Sequence, residues 1–311
     1  MPADTFERFR RFLAAADDLA REPIALTTRE EQLWCRYFGE HCYEGGALVE
    51  LGPFLGSLTM ALQEGLARNP QVDATAATIH AWDLFRWENW CEDHVKGTEL
   101  AGRLTPGESF EPLYRGRVRG TVPVVTHAED LLAPTGVPGE IGLLLNDAVK
   151  TWEVGLSVGA HFFPSMTAGA TVAHQDFLWP TEAFLVPLMY LWREQFVARY
   201  VVPGSCMAVF ERTGRPISAA PLVDFPGTLA ALPAELIDDA FAWFDAVGGE
   251  MDRDVLHLCQ ATTLWRCGHL AAAQDIVQHH ELRHRAGSGL FEFQRDILRQ
   301  WGYAPLLERE T

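Results

Sequence analysis

No apolar run in the 311 residues approaches the roughly 20 needed to span a bilayer, so a membrane-embedded protein is not expected. The opening stretch Met1-Pro2-Ala3-Asp4-Thr5-Phe6-Glu7-Arg8 lacks the basic start and apolar core of a secretory signal, which points to the cytoplasm. Basic residues are scarce: 25 Lys and Arg stand against 42 Asp and Glu, a net charge of -17 at pH 7. Neutralising phosphates needs clustered Lys and Arg, so nucleic acid is not the expected partner. The six cysteines, Cys35, Cys42, Cys91, Cys206, Cys259 and Cys267, contain no Cys-x-x-Cys pair and read as reduced thiols, neither a disulfide framework nor a zinc cage. What is present, 48% hydrophobic and 22% charged residues, belongs to a folded protein of one large α/β domain with appendages, or two domains.

Organisation follows from periodicity. Phe6, Phe9, Phe12, Leu13 and Ala16 recur at helical spacing, with Arg8, Arg10, Asp17 and Asp18 on other faces. Thr28 followed by Glu31 resembles a capping box opening a second helix. From about 46 to 211, short apolar runs alternate with helical stretches, the pattern of a parallel sheet covered on both faces. Strands are expected at 47–50, 78–83, 121–126, 141–146 and 170–174, and a β-hairpin at 196–211 around Pro203-Gly204-Ser205. Residues 86–120, rich in charge, Trp and Gly, take no clear assignment. Helices are expected over Pro233–Val247, Asp254–Trp265 and Leu270–His279, the last two broken at Gly268. The segment 264–273 resembles one tetratricopeptide hairpin, although such arrays need about three repeats for stability. The division expected is 1–44 N-terminal helices, 45–225 nucleotide-binding domain and 226–311 helical extension, which packs on the main domain or forms a homo-oligomer.

The most informative stretch is Glu50-Leu51-Gly52-Pro53-Phe54-Leu55-Gly56-Ser57-Leu58-Thr59. An apolar strand ends in an acid, two glycines follow four residues apart, and a helix begins: the geometry that brings backbone amides up to a nucleotide-like ligand. A second strand ends in Asp83, placed to accept hydrogen bonds from a ribose. With Phe at position 54 the three-glycine dinucleotide run is missing, which argues against a dehydrogenase.

This pattern resembles the class I S-adenosylmethionine-dependent methyltransferases, most closely the macrocin O-methyltransferase type that modifies sugars on natural products. Glu50, Gly52 and Gly56 are similar to its first motif, Glu-x-Gly-x-x-x-Gly, and Asp83-Leu84-Phe85 to its Asp-Ser-Phe. Leu143-Leu144-Leu145-Asn146-Asp147, and the turn and strand from Phe163 to Phe177, are similar to its later motifs. The resemblance covers about residues 45–211. It implies an α/β fold: a Rossmann-like, seven-stranded, mostly parallel sheet with a terminal antiparallel β-hairpin, flanked by N-terminal helices and a helical C-terminal extension. It implies S-adenosylmethionine held by Glu50, Gly52, Gly56, Thr59, Asp83, Ala128, Glu129 and Asn146, and methyl transfer to a hydroxyl of a small-molecule acceptor. Mg²⁺ on Asp147 and Asp176 is also implied, but Gln175 stands where the first of two paired acids belongs, and no second acid follows Asp147. Without a metal, His174 or Asp176 is the expected base, with Lys150 in part of the cation's space; Asp147 completes the candidate catalytic set. Residues 86–99, with Trp87, Trp90, Asp93 and His94, are expected to form a lid facing the substrate. The alternative is a protein that binds the cofactor, as a cyclase or partner subunit, without transferring methyl.

Overall fold

Thr28 and Glu31 cap the helix α2 (Arg29–His41) reciprocally: the Glu31 amide donates to the Thr28 hydroxyl at 3.2 Å, and the Thr28 amide to Glu31 Oε2 at 2.8 Å. It is preceded by α1 (Thr5–Ala15) and followed by strand β1 (Ala47–Leu51) and helix α3 (Ser57–Leu66). The computed structural model describes residues 4–16, 24–217 and 226–308; Asp17 and Asp18 of the first expected helix, and residue 225 at the expected boundary, lie outside them. Among the described residues no helix is long and apolar enough to cross a membrane.

The remaining elements in chain order are β2 (Ile79–Asp83), α4 (Asn89–Val95), α5 (Glu111–Arg117), β3 (Val124–Ala128), β4 (Ile141–Asn146), α6 (Trp152–His161) and β5 (Met166–His174). There follow α7 (Leu185–Leu191), β6 (Phe196–Val201), β7 (Ala208–Arg212), α8 (Ala234–Val247), α9 (Arg253–Arg266), α10 (Leu270–His279) and α11 (Gly289–Leu298). The strands form one seven-stranded sheet of order β3-β2-β1-β4-β5-β7-β6. Strands β1, β2, β3 and β4 pair in parallel, while β6 and β7 form the antiparallel hairpin, with Phe196 opposite Arg212. This is the expected Rossmann-like sheet with its terminal hairpin. Central strands β1 and β4 are buried almost throughout, which is why they read as continuous apolar runs. The third strand lies three residues later than expected: Pro123 has no N–H for the ladder, so pairing starts at Val124.

Two compact units divide the chain: Met1–Ala148 with Ser165–Ala173, and Val149–Pro164 with His174–Thr311. In the first, α2 and α3 pack backbone to backbone through facing glycines. A Cβ on Gly65 would stand 2.1 Å from the Arg36 carbonyl oxygen, and one on Gly39 2.8 Å from the Leu66 nitrogen. In the second, Phe177, Phe210 and Phe244 form an aromatic core with ring centroids 4.8–6.1 Å apart, and the Gln294 amide donates to the Leu178 carbonyl at 2.8 Å. Helices α9 and α10 form the expected pair, and Gly268 between them adopts a φ of 84°.

The helix contact in the first unit sets a test. Gly65→Ala is expected to lower stability by about 1–3 kcal/mol through overpacking. Gly116→Ala, in α5 with nothing within 4 Å of an added Cβ, should be neutral or slightly stabilising. Urea unfolding of the two variants checks this, and equal midpoints would remove the proposed backbone contact.

Candidate functional site

The C-terminal ends of β3, β2, β1 and β4 carry the cofactor residues that the sequence singled out. Asp83 pairs with Ala128, Glu50 with Ala81 and Leu145, and Leu51 with Trp82 and Asn146. Strand order reverses between β1 and β4, the switch point outside which open α/β sheets bind ligands. All the geometry described next lies within the first unit.

Glu50, the last residue but one of β1, is almost fully buried and meets the first turn of α3. The Thr59 hydroxyl donates to its Oε2 at 2.6 Å, and the Thr59 amide also donates to the carboxylate. Thr59 in turn lies 3.2 Å from the Tyr114 hydroxyl, which α5 brings in fully buried. Burial pushes the Glu50 carboxyl up to about 7; the Thr59 hydrogen bonds pull it down and the nearby Asp83 charge pushes it further up. Tyr114 is raised above its ordinary value by burial and then by Glu50.

Asp83 is held by loop amides. Phe85 donates to its Oδ1 at 2.8 Å, and the amides of Phe54 and Leu84 donate as well. The glycine turn and the end of β2 are thereby tied together through one carboxylate. Burial raises Asp83 to about 6 against the lowering effect of those three amides. None of the groups that shift Glu50 or Asp83 is a Lys or Arg. Phe54 and Phe85, on either side of this carboxylate, have φ of 45° and 50°, a left-handed conformation that costs roughly 1–2 kcal/mol for a side-chain-bearing residue.

The two glycines are required by the chain's own packing. Gly52 (φ 77°) has the Ala148 Cβ and the Asp147 carbonyl carbon 3.1 Å from where its Cβ would be. Gly56 (φ 85°) faces the Val118 Cγ1 at 2.5 Å and Tyr114 at 3.1 Å. Gly56 is also the N-cap of α3 and offers no side-chain cap to the helix amides.

Residues 86–110 close on themselves. The Trp87 amide donates to the Glu108 carbonyl, Gly107 donates back to Trp87, both at 2.8 Å, and Phe110 donates to Phe85. Trp87 is buried in the cluster of Phe85, Phe110, Tyr114 and Leu55, which corrects its expected place facing substrate. Trp90 is 48% exposed, with its ring 5.4 Å from Phe54 and 5.8 Å from His94. Phe54, Leu84 and Trp90 thus supply apolar surface next to Asp83. Glu129, expected at the adenine edge, instead accepts from the Thr135 amide and hydroxyl, both at 2.7 Å. Asn146 is buried and Asp147 half-buried, its amide donating to the Leu51 carbonyl at 2.9 Å.

The second unit holds the other candidates. His174 is 1% exposed, packed against Phe177 and Phe210, and burial lowers it to about 3. An imidazole so reluctant to take a proton and so far from solvent does not suit a general base, which corrects the expectation placed on it. The Lys150 ammonium donates to Asp176 Oδ2. Glu182, which the sequence reading missed, is pushed up to about 7 by burial, lowered by Lys150 and raised by Asp176. Among the described residues no group of three or more His, Cys, Asp or Glu could hold a metal ion, and the expected Mg²⁺ finds no support.

No family model and no curated protein matches the chain. Among solved structures, the O-methyltransferase NovP is similar at 16% identity, covering 59% of this chain and 80% of its own, with a TM-score of 0.42. CalS11, a TDP-rhamnose 3'-O-methyltransferase of calicheamicin biosynthesis, gives 16%, 68%, 94% and 0.38. The 23S rRNA methyltransferase ErmE gives 15%, 86%, 92% and 0.34. The solved structures that the chain is similar to are class I S-adenosylmethionine-dependent methyltransferases, sugar O-methyltransferases among them. At these values the likeness carries no argument about the site, which rests on the geometry above.

Glu50 gives a pH test. Its folded-state value, about 7, lies above the ordinary 4.5, so its contribution to stability is full below about pH 4.5 and is lost as pH rises through about 7. The difference amounts to about 3 kcal/mol. Glu50→Gln is therefore expected to be more stable than wild type at pH 8, by up to that amount, and nearly equal to it at pH 5. Urea unfolding at both pH values measures this; a variant equally destabilised at both would show that the buried charge is compensated.

Proposed function

We propose that the chain binds S-adenosylmethionine in its first unit and transfers the methyl group to a hydroxyl of a small glycosylated or polycyclic natural product. The observation that carries this reading is the pair of carboxylates, Glu50 and Asp83, set beside the glycine turn with no Lys or Arg among the groups that shift them. Two carboxylates, acceptors only when ionised, suit a ligand presenting hydroxyls and positive charge. They oppose a dinucleotide, whose pyrophosphate would meet the first turn of α3, where Glu50 already takes the Thr59 amide.

When bound, the cofactor supplies an electrophilic methyl carbon. The chain's own residues do the rest. Asp83 accepts from the ribose hydroxyls, and Phe54, Leu84 and Trp90 cover the adenosine. Glu50, fixed by Thr59, faces the positive end of the ligand. Thr59 is a positioning residue that acts through Glu50. Asp147, after β4 in the same unit, receives the acceptor's proton. The small-molecule acceptor is favoured over nucleic acid by the net charge of -17. The sugar or polycyclic class comes from the motif resemblance. A second reading, cofactor binding without methyl transfer, is favoured by the burial of His174 and the pairing of Asp176, which withdraw two of the three expected proton-handling groups.

Calorimetric titration with S-adenosylhomocysteine tests the binding site. Asp83→Ala is expected to weaken binding by about tenfold to a hundredfold, the loss of hydrogen bonds to a charged acceptor. Asp83→Asn, which keeps an oxygen for the Phe54 and Phe85 amides, separates ribose binding from loop collapse. Unchanged affinity in both would remove Asp83 from the site, and tight binding of a nicotinamide dinucleotide would overturn the cofactor. Mass spectrometry of candidate acceptors for a gained methyl group decides between the two readings.

A further inference from the structure

The resemblance places a divalent cation beside Asp176, and the structure places an ammonium there. Lys150 and Asp176 belong to the same unit; their side chains are 49% and 20% exposed, and Lys150 Nζ donates directly to Asp176 Oδ2. Glu182 feels Lys150, Asp176 and Arg266, and its own carboxylate accepts from the Thr181 hydroxyl. Arg266 stacks its guanidinium 5.6 Å from the Phe184 ring. A dication entering next to Lys150 would be repelled by its ammonium. Hard cations of this kind take six or more oxygen ligands, several of them carboxylates or waters, whereas Asp176 has one oxygen committed to Lys150 and Gln175 beside it is a buried amide.

We propose that Lys150 is a tethered cation that stands in place of the metal at Asp176, so that this protein works without Mg²⁺. The ammonium supplies a fixed positive charge at the end of a flexible stem, and it needs no free metal in the medium. That a reaction proceeds without Mg²⁺ rests on the methyl-transfer reading; the occupancy of the metal's place by Lys150 does not.

Mn²⁺, a paramagnetic probe that favours the same oxygen ligands, tests the occupancy by electron paramagnetic resonance titration of the full chain. Wild type is expected to bind no Mn²⁺ at millimolar concentration. Lys150→Ala should gain binding at least about tenfold tighter than wild type, a gain of about 1.4 kcal/mol, and Asp176→Asn in the same background should abolish it. Lys150→Met, which keeps the stem, serves if the alanine variant unfolds, as checked by thermal melting. Mn²⁺ bound by wild type and lost on Asp176→Asn would overturn the proposal, as would failure of both Lys150 variants to gain a site. S-adenosylhomocysteine binding, measured in parallel, reports on the cofactor reading separately: its absence in wild type would sink that reading and leave the Mn²⁺ result to stand or fall alone.

Discussion

Burying two carboxylates a short distance apart is costly, and the first unit is arranged so that hydrogen bonds bear the cost. Glu50 takes the hydroxyl and amide of Thr59, while Asp83 takes the amides of Phe85, Phe54 and Leu84. Burial still outweighs these bonds, since both groups titrate well above ordinary carboxylates. The turn bends to serve Asp83: Phe54 and Phe85 both enter the left-handed region, and their rings pack with Phe110, Trp90 and Tyr114 to offset that strain. In the function proposed above, the bound ligand supplies what the protein withholds from this pair, namely donors and positive charge.

Asp176 of the second unit follows the opposite rule. Asp176 is paired with Lys150, and Glu182 sits within reach of the charges of Lys150 and Arg266. Compensated carboxylates hold their own structure and do not call for an ion, whereas uncompensated ones do. This difference, more than the number of acidic residues, separates the buried pair of the first unit from an acid beside which a cation is already built in.

Much of the fold was legible because its signals are local. The apolar runs of β1, β2 and β4, the capping box of Thr28 and Glu31, the hairpin around Gly204 and the break at Gly268 each follow from a few neighbouring residues. The misreadings fall where the local signal is silent. The last five residues of β5 are all buried, so alternation could not say that His174 points into the core. Trp87 follows Asp83 closely, yet its partners, Gly107, Glu108 and Phe110, come some twenty residues later. Gly52 and Gly56 were read as room for a ligand, and the structure shows Ala148, Val118 and Tyr114 using that room.

The sequence by itself determined the strand-turn-helix at Glu50 to Thr59, the acid closing the next strand, and the order of a mostly parallel sheet, because periodicity, turn residues and chain direction are properties of adjacent positions. Only the tertiary structure decided who meets those acids: Tyr114 reaches Thr59 across 55 residues, and Lys150 reaches Asp176 across 26. A carboxylate's charge state and usefulness depend on burial and on partners brought together by folding, and neither is written in the residues next to it.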